Sequence, residues 1–282
     1  MRPSFRMLRR DQFTGHLAQA VIPPLVMIAI LMIMLSSILP TSVTAEVLTI
    51  DTAINKAGMQ RMLTQRIAKS YLLAGQDVAA DKAQKQLDAS VALFEEHLGE
   101  LEGFSPTPEI TASLQNIRRE WNKFRQLAIG NPEHRQALSV IEGGSRLLEL
   151  CEKNVQLFET YSGEEKGELI NISGRQRMLS QRIGMLYVAK SWRVTSESLD
   201  KAFEQALSDF DQALKLLTES SLNTAEINQA LNEVAAQWEF SRSGFELGES
   251  GRYVPFVIQV TTESMLKKMD RITNLYVSIE SS

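Results

Sequence analysis

The sequence predicts an all-α protein made of tandem four-helix up-down bundles behind an amino-terminal apolar segment, and three observations carry that prediction. The stretch "GMQRMLTQRI" at Gly58 returns as "GRQRMLSQRI" at Gly174, 116 positions later, with eight of ten residues identical. Apolar residues recur at helical steps of three and four, as in Leu87, Val91, Phe94, Leu98 and Leu101, and strand-like alternation is missing. Glycine and proline breaks then cut each repeat into four segments of helical length.

The first 45 residues stand apart. Arg2, Arg6, Arg9 and Arg10 precede an uncharged apolar run from Ala18 to Leu39, and Asp11 is the one acid before Glu46. Pro40 ends the run, and Val43 and Ala45 occupy the −3 and −1 positions of a small-residue cleavage site. The segment reads as a signal peptide; the alternative is a retained anchor, because about 20 apolar residues can span a bilayer with the basic end cytoplasmic. Arg9-Arg10 with Phe13 loosely resembles a twin-arginine signal. Either way, the chain from about Glu46 onward is expected to face the periplasm.

The first repeat, 46–162, divides near Gly75, Gly103 to Pro108 and Gly130 to Pro132 into helices over roughly 47–74, 79–102, 108–129 and 132–162. Thr107-Pro108-Glu109 and Asn131-Pro132-Glu133 each offer a cap, a proline for the first helical position and an acid that suits the helix dipole. The second repeat, 163–282, gives roughly 164–194, 196–219, 224–246 and 254–280. The repeat persists downstream of the motif with small drift. Phe94 matches Phe210 at 116, Trp121 matches Trp238 at 117, and "LLELCEKNVQL" from Leu147 aligns with "MLKKMDRITNL" from Met265 at 118. With no proline between Pro132 and Pro255, the fourth helix either runs into the fifth or bends at Gly163 and Gly167. Four such helices per unit suit a bundle with short loops.

Charge and cysteine content narrow the function. A 282-residue chain with 44% hydrophobic residues can bury a core, and a net charge of −4 argues against nucleic acid as a partner. Cys151, the single cysteine, excludes an internal disulfide and a CxxC pair and reads as a small core residue.

On a helical wheel Ile54, Gly58, Arg61, Gln65, Ala68 and Leu72 share one stripe, and Ile170, Gly174, Arg177, Gln181 and Gly184 repeat it. An arginine therefore sits on a buried line whose small neighbours let a second helix approach. From Thr52 to Gln76 the charges are Lys56, Arg61, Arg66 and Lys69, and from Leu169 to Ser196 they are Arg175, Arg177, Arg182, Lys190 and Arg193, with no acid in either stretch. A buried arginine needs a neutralising partner. One solution is an external flat oxyanion, which matches the planar five-donor guanidinium. The other is an acid from a neighbouring helix, such as Glu95, Glu96, Asp209 or Asp211. Arg66 and Arg182, on the flank, read as interhelical salt-bridge or cap partners. Gln60, Gln65, Gln176 and Gln181 either orient the arginines or serve as ordinary bundle polar residues, and Met62 and Met178 read as core.

"INKAGMQRMLTQRIAKSYL" from Ile54 and "INISGRQRMLSQRIGMLYV" from Ile170 resemble the signature of the PilJ-type domain, the amino-terminal sensory region of a type IV pili chemotaxis transducer. They are also similar to the periplasmic segment of NarX-type nitrate/nitrite sensors. The resemblance implies a four-helix bundle in which the motif arginine binds nitrate at a symmetry axis. By position that arginine is Arg61 and Arg177, with Gly58 and Gly174 as close-approach glycines, Gln65 and Gln181 beside them, and Asn55, Asn171, Arg66 and Arg182 as secondary candidates. Members usually return to the membrane and continue into a signalling module. With no second apolar span before Ser282, the expectation is a stand-alone periplasmic protein that binds nitrate, nitrite or a similar small anion and signals through a membrane sensor or chemoreceptor. Arg61 and Arg177 either face each other within one chain or meet their counterparts in a homodimer.

No enzyme pattern is present: HExxH, CxxCH, GxSxG and phosphate-loop motifs are missing, and His16, His97 and His134 are isolated. No catalytic residue, metal site or cofactor is expected. The rival reading is a ligand-free helical protein that docks on a membrane chemoreceptor, sensor kinase or pilus-associated receptor, with its arginines in structural ion pairs. A third is a membrane-anchored fragment of a receptor system, held in the inner membrane by residues 18–39.

Overall fold

The computed structural model describes residues 48–163, 165–194, 196–249 and 252–279. The signal or anchor segment, with its cleavage site, lies outside them. Among the described residues there are eight helices and no strand: α1 (Ile50–Gly75), α2 (Ala80–Phe104), α3 (Pro108–Ala128), α4 (His134–Ser162), α5 (Glu165–Ser191), α6 (Glu197–Thr218), α7 (Ala225–Glu249) and α8 (Pro255–Val277). None of them is long and apolar enough to cross a membrane.

Side-chain caps set several of these starts. Thr49, Thr107, Ser196 and Thr224 accept the backbone N–H of Thr52, Ile110, Leu199 and Ile227, three residues on in each case. The predicted start at Pro132 is a correction. Glu133 is extended and α4 begins at His134, because the Tyr71 hydroxyl accepts Glu133 N–H at 2.9 Å and donates to Asn131 O at 3.3 Å, which holds this segment out of the helix. Tyr187, 116 positions on, holds Val254 N–H at 3.0 Å ahead of α8. Between the repeats the chain bends rather than running on: Gly163 ends α4 with φ at 65°, a left-handed cap that glycine adopts without a Cβ penalty.

The motif helices α1 and α5 form the centre. In the first repeat α1 packs on α2 and α4, and α3 on α4; in the second α5 packs on α6 and α8, and α7 on α8. The most extensive interface joins α1 to α5, so the repeats share one hydrophobic core. Two lesser seams, α4 against α5 and α8 against α1, flank that central pair. With neighbours on every side α1 is buried throughout 60–65 and 67–73, and α5 throughout 176–181 and 183–189. The single buried stripe expected from the wheel is thus a helix enclosed almost all round, and Arg66 and Arg182 alone interrupt each run.

The outer helices repeat too. Trp121 stacks on Phe94 with ring centroids 4.1 Å apart and donates Nε1–H to Glu95; Trp238 lies 4.3 Å from Phe210 and donates to Asp211. Buried aromatic pairs of this kind contribute about 1 kcal/mol beyond their burial. Glu95 and Asp211, considered above as partners for the motif arginines, are used here instead.

Candidate functional site

Gly58 and Gly174 face each other where α1 crosses α5. A Cβ added to Gly174 would stand 3.2 Å from Arg177 Nη2, 3.3 Å from Arg61 Nη2 and 4.0 Å from Gly58 Cα, and a Cβ on Gly58 would stand 3.3 Å from Arg61 Nη2, 3.4 Å from Arg177 Nη2 and 4.0 Å from Gly174 Cα. Both guanidiniums therefore converge over the glycine pair, one from each repeat, about an internal pseudo-two-fold axis. Missing side chains at these two positions leave the space that the guanidiniums fill.

Each arginine is fully buried and paired. Arg61 Nη1 donates to Glu152 Oε2 at 2.8 Å and Nη2 to Asn171 O at 3.1 Å. Arg177 repeats this with Asp270 Oδ1 at 2.7 Å and Asn55 O at 3.3 Å. The acids are a correction to the four considered from sequence. Glu95 pairs with Arg118, Asp209 with Arg175 and Asp211 with Arg242, the three acids lying on the outer helices α2 and α6, whereas α4 and α8 bring Glu152 and Asp270 to the centre. A sequence signal for them existed, since Glu152 and Asp270 stand at the same place in the two stretches aligned at an offset of 118.

Pairing leaves both sites incomplete in the same way. Nε of Arg61 and Nε of Arg177 are buried without a hydrogen-bond partner among the described residues, as are Oε1 of Gln60 and Gln176 and Oδ1 of Asn55 and Asn171. Burial lowers the Arg177 pKa; Asp270 offsets part of that and the neighbouring Arg61 charge adds to it. The arginine stays charged at neutral pH, so the two like charges repel across the axis.

Gly58, Gly174, Arg61 and Arg177 are thus brought together, and Asn55 and Asn171 join them through backbone carbonyls rather than side chains. The Asn55 amide donates to Asn274 Oδ1 and the Asn171 amide to Glu159. Gln65 and Gln181 sit one turn away. Gln65 Nε2 donates to Gly144 O at 3.5 Å and Gln181 Nε2 to Thr262 O at 3.1 Å, which ties each motif helix to its fourth helix. Gln60 and Gln176 likewise reach the second helix of their repeats, at Phe94 O and Phe210 O. Met62 is core; Met178 is buried and also lines a groove described below.

The flanking arginines differ. Arg66 is a salt-bridge partner as expected, with Nη2 2.7 Å and Nε 3.3 Å from the two oxygens of Glu263. Lys69, fully buried, joins them at 2.8 Å from Glu263 Oε1, 2.6 Å from Gln181 Oε1 and 3.3 Å from Thr262 Oγ1. Burial opposes ionisation of Glu263, but Lys69 and Arg66 outweigh it and hold the carboxyl at about 2. Arg182 departs from the expectation. It makes no ion pair among the described residues, and its one hydrogen bond is Nη1 to Gln65 Oε1 at 3.4 Å. Lys69 and Glu263 were not predicted, because neither recurs in the other repeat.

Among the described residues no group of three or more His, Cys, Asp or Glu is arranged to hold a metal ion. Cys151 is buried in the core, and burial pushes its thiol pKa well up. Residues 44–142 and 160–246 match the PilJ family, described as type IV pili methyl-accepting chemotaxis transducer N-term. The chain belongs to the PilJ family. Its two matches contain the two motif copies, so the PilJ units are tandem, and the family is one of sensory domains rather than enzymes. No curated protein and no solved structure matches the chain.

Proposed function

We propose that this PilJ protein is an exported sensory protein that binds a small oxyanion, nitrate or nitrite first, between Arg61 and Arg177, and signals through a membrane chemoreceptor or sensor kinase. The observation that carries the reading is the convergence of two buried guanidiniums, one per repeat, each with an unpartnered Nε. A flat anion at the axis offers oxygens to both arginines and relieves their repulsion. It also competes with Glu152 and Asp270, whose side chains are 27% and 37% exposed and can rehydrate when released. Those acids belong to α4 and α8, so binding loosens the hold of the motif helices on both fourth helices. The change has a direct route outward, and its size is limited by the anion's differential affinity for the two packings. Because both arginines lie in one chain, this site needs no homodimer.

The test is thermal unfolding of the full-length chain in chloride-free buffer with nitrate, nitrite or small carboxylates. Melting temperature is expected to rise with the concentration of one anion, as mass action requires. That rise is expected to vanish in Arg61→Ala and Arg177→Ala, with helix content retained. No shift with any anion rejects the reading.

A second reading, a ligand-free interaction protein, draws on a different observation. Both arginines already have carboxylate partners, and the first turns of α8 expose Phe256, Val257 and Val260. Capture of a membrane partner that is lost on Val257→Asp, with no anion response, would favour it. In either version the amino-terminal segment, read from its sequence as a signal peptide or an anchor, would direct the protein to the periplasm or the inner membrane.

A further inference from the structure

The pseudo-two-fold relates two seams, and they are filled differently. Two pairs of contacts set the register: Arg61 with Glu152 against Arg177 with Asp270, and Gln65 with Gly144 O against Gln181 with Thr262 O. Both fix α8 at 118 positions after α4 and α5 at 116 after α1. In that register Arg182 corresponds to Arg66, Ser145 to Glu263 and Met185 to Lys69. The α8–α1 seam holds the Arg66, Glu263 and Lys69 cluster. The α4–α5 seam has serine where the carboxylate would be, and there a groove of about 550 Å³ opens between α4, α5 and α6.

We propose that this groove is a second ligand site, taking a small organic carboxylate with an apolar body, whose carboxylate sits on Arg182 as that of Glu263 sits on Arg66. Leu148, Met178, Leu179 and Ala206 supply an apolar floor. Of the acids in the lining, Glu152 is engaged by Arg61, and Asp209 by Arg175 and Gln205. Glu149 and Lys153 are exposed at the rim, one turn apart on α4. Arg182 and Lys153 both lack a carboxylate at ion-pair distance among the described residues, but Lys153 is exposed at the rim and Arg182 is half-buried within the groove. Burial lowers its pKa, and Asp209 and Glu149, farther off, offset part of this. The volume falls within the range of roughly 300–1,000 Å³ typical of small-molecule sites, and an apolar lining with few polar anchors is their usual composition. The site is distinct from the axis between Arg61 and Arg177, and Glu152 is the residue the two have in common.

The experiment is calorimetric titration of the full-length chain with benzoate and hexanoate at millimolar concentrations, with benzamide and hexanamide as neutral controls. Both carboxylates are expected to bind and both amides to fail. Arg182→Gln is expected to weaken carboxylate binding at least about tenfold, the scale of one charge-assisted hydrogen bond. Ser145→Glu restores the missing carboxylate from within the chain; it is expected to raise the melting temperature and to abolish benzoate binding while leaving any nitrate response intact. Binding that is equal for acids and amides, unchanged in Ser145→Glu, or missing in the wild-type chain overturns the proposal. A nitrate response that fails by itself counts against the axial site and leaves this one standing.

Discussion

Replacing Glu263 by glutamine removes one charge from a cluster whose other members cannot easily reach water. Lys69 is fully buried and would keep only Gln181 Oε1 and Thr262 Oγ1 as acceptors. The magnitude follows from the carboxyl's displacement, from an ordinary value of 4.5 to about 2. At 1.36 kcal/mol for each unit of displacement this is about 3 kcal/mol of stability. Removing one partner of a buried ion pair typically costs about 3–5 kcal/mol, which agrees. Because the folded pKa lies below the unfolded one, this contribution is complete above about pH 4.5 and is lost as pH falls through the window down to about 2. Urea unfolding of the wild type and Glu263→Gln should therefore differ by about 3 kcal/mol at neutral pH and converge on acidification. A deficit below about 1 kcal/mol at neutral pH, or one that stays constant into acid, would falsify the electrostatic account.

Three further outcomes are expected. Gly58→Ala places a Cβ 3.3 Å from Arg61 Nη2 and 3.4 Å from Arg177 Nη2, so the guanidiniums must shift by a few tenths of an ångström; it should cost about 1–3 kcal/mol as overpacking and reduce the oxyanion response, read together by thermal unfolding with and without nitrate. His97 is held at about 4, mainly by burial and then by the Lys56 charge, while an unfolded histidine protonates near 6.5. The unfolded chain thus takes the proton first, and stability should fall by roughly 3 kcal/mol as pH drops from about 6.5 to 4, a slope that His97→Gln should flatten. Cys151, buried with its thiol pKa raised, should resist a thiol-labelling reagent in the native state and react once urea unfolds the chain.

Local signals carried most of the helix boundaries. Thr107 and Pro108 begin α3 as the cap rules require, and Gly163 breaks the chain between the repeats. Asn131-Pro132 obeyed the same rules and still did not start a helix, because Tyr71, 60 residues earlier, captured the backbone there. The candidate site was legible to a similar depth. A duplicated glycine and arginine marked Gly58, Arg61, Gly174 and Arg177, since close approach and buried charge leave a pattern within one helix. Their partners Glu152 and Asp270 left only a matching offset on helices distant in sequence.

Sequence alone determined the duplication, the eight helices and the cationic motif at the heart of each repeat, because propensity, capping and apolar period act over a few residues. Only the tertiary structure decided that the two arginines meet within one chain, since that depends on which faces of α1 and α5 find each other. It also decided that Arg66 and Arg182, alike in their motifs, end differently. One meets Glu263 and Lys69, and the other faces Ser145 across a groove, because the residue that completes each arginine comes from the far end of the opposite repeat.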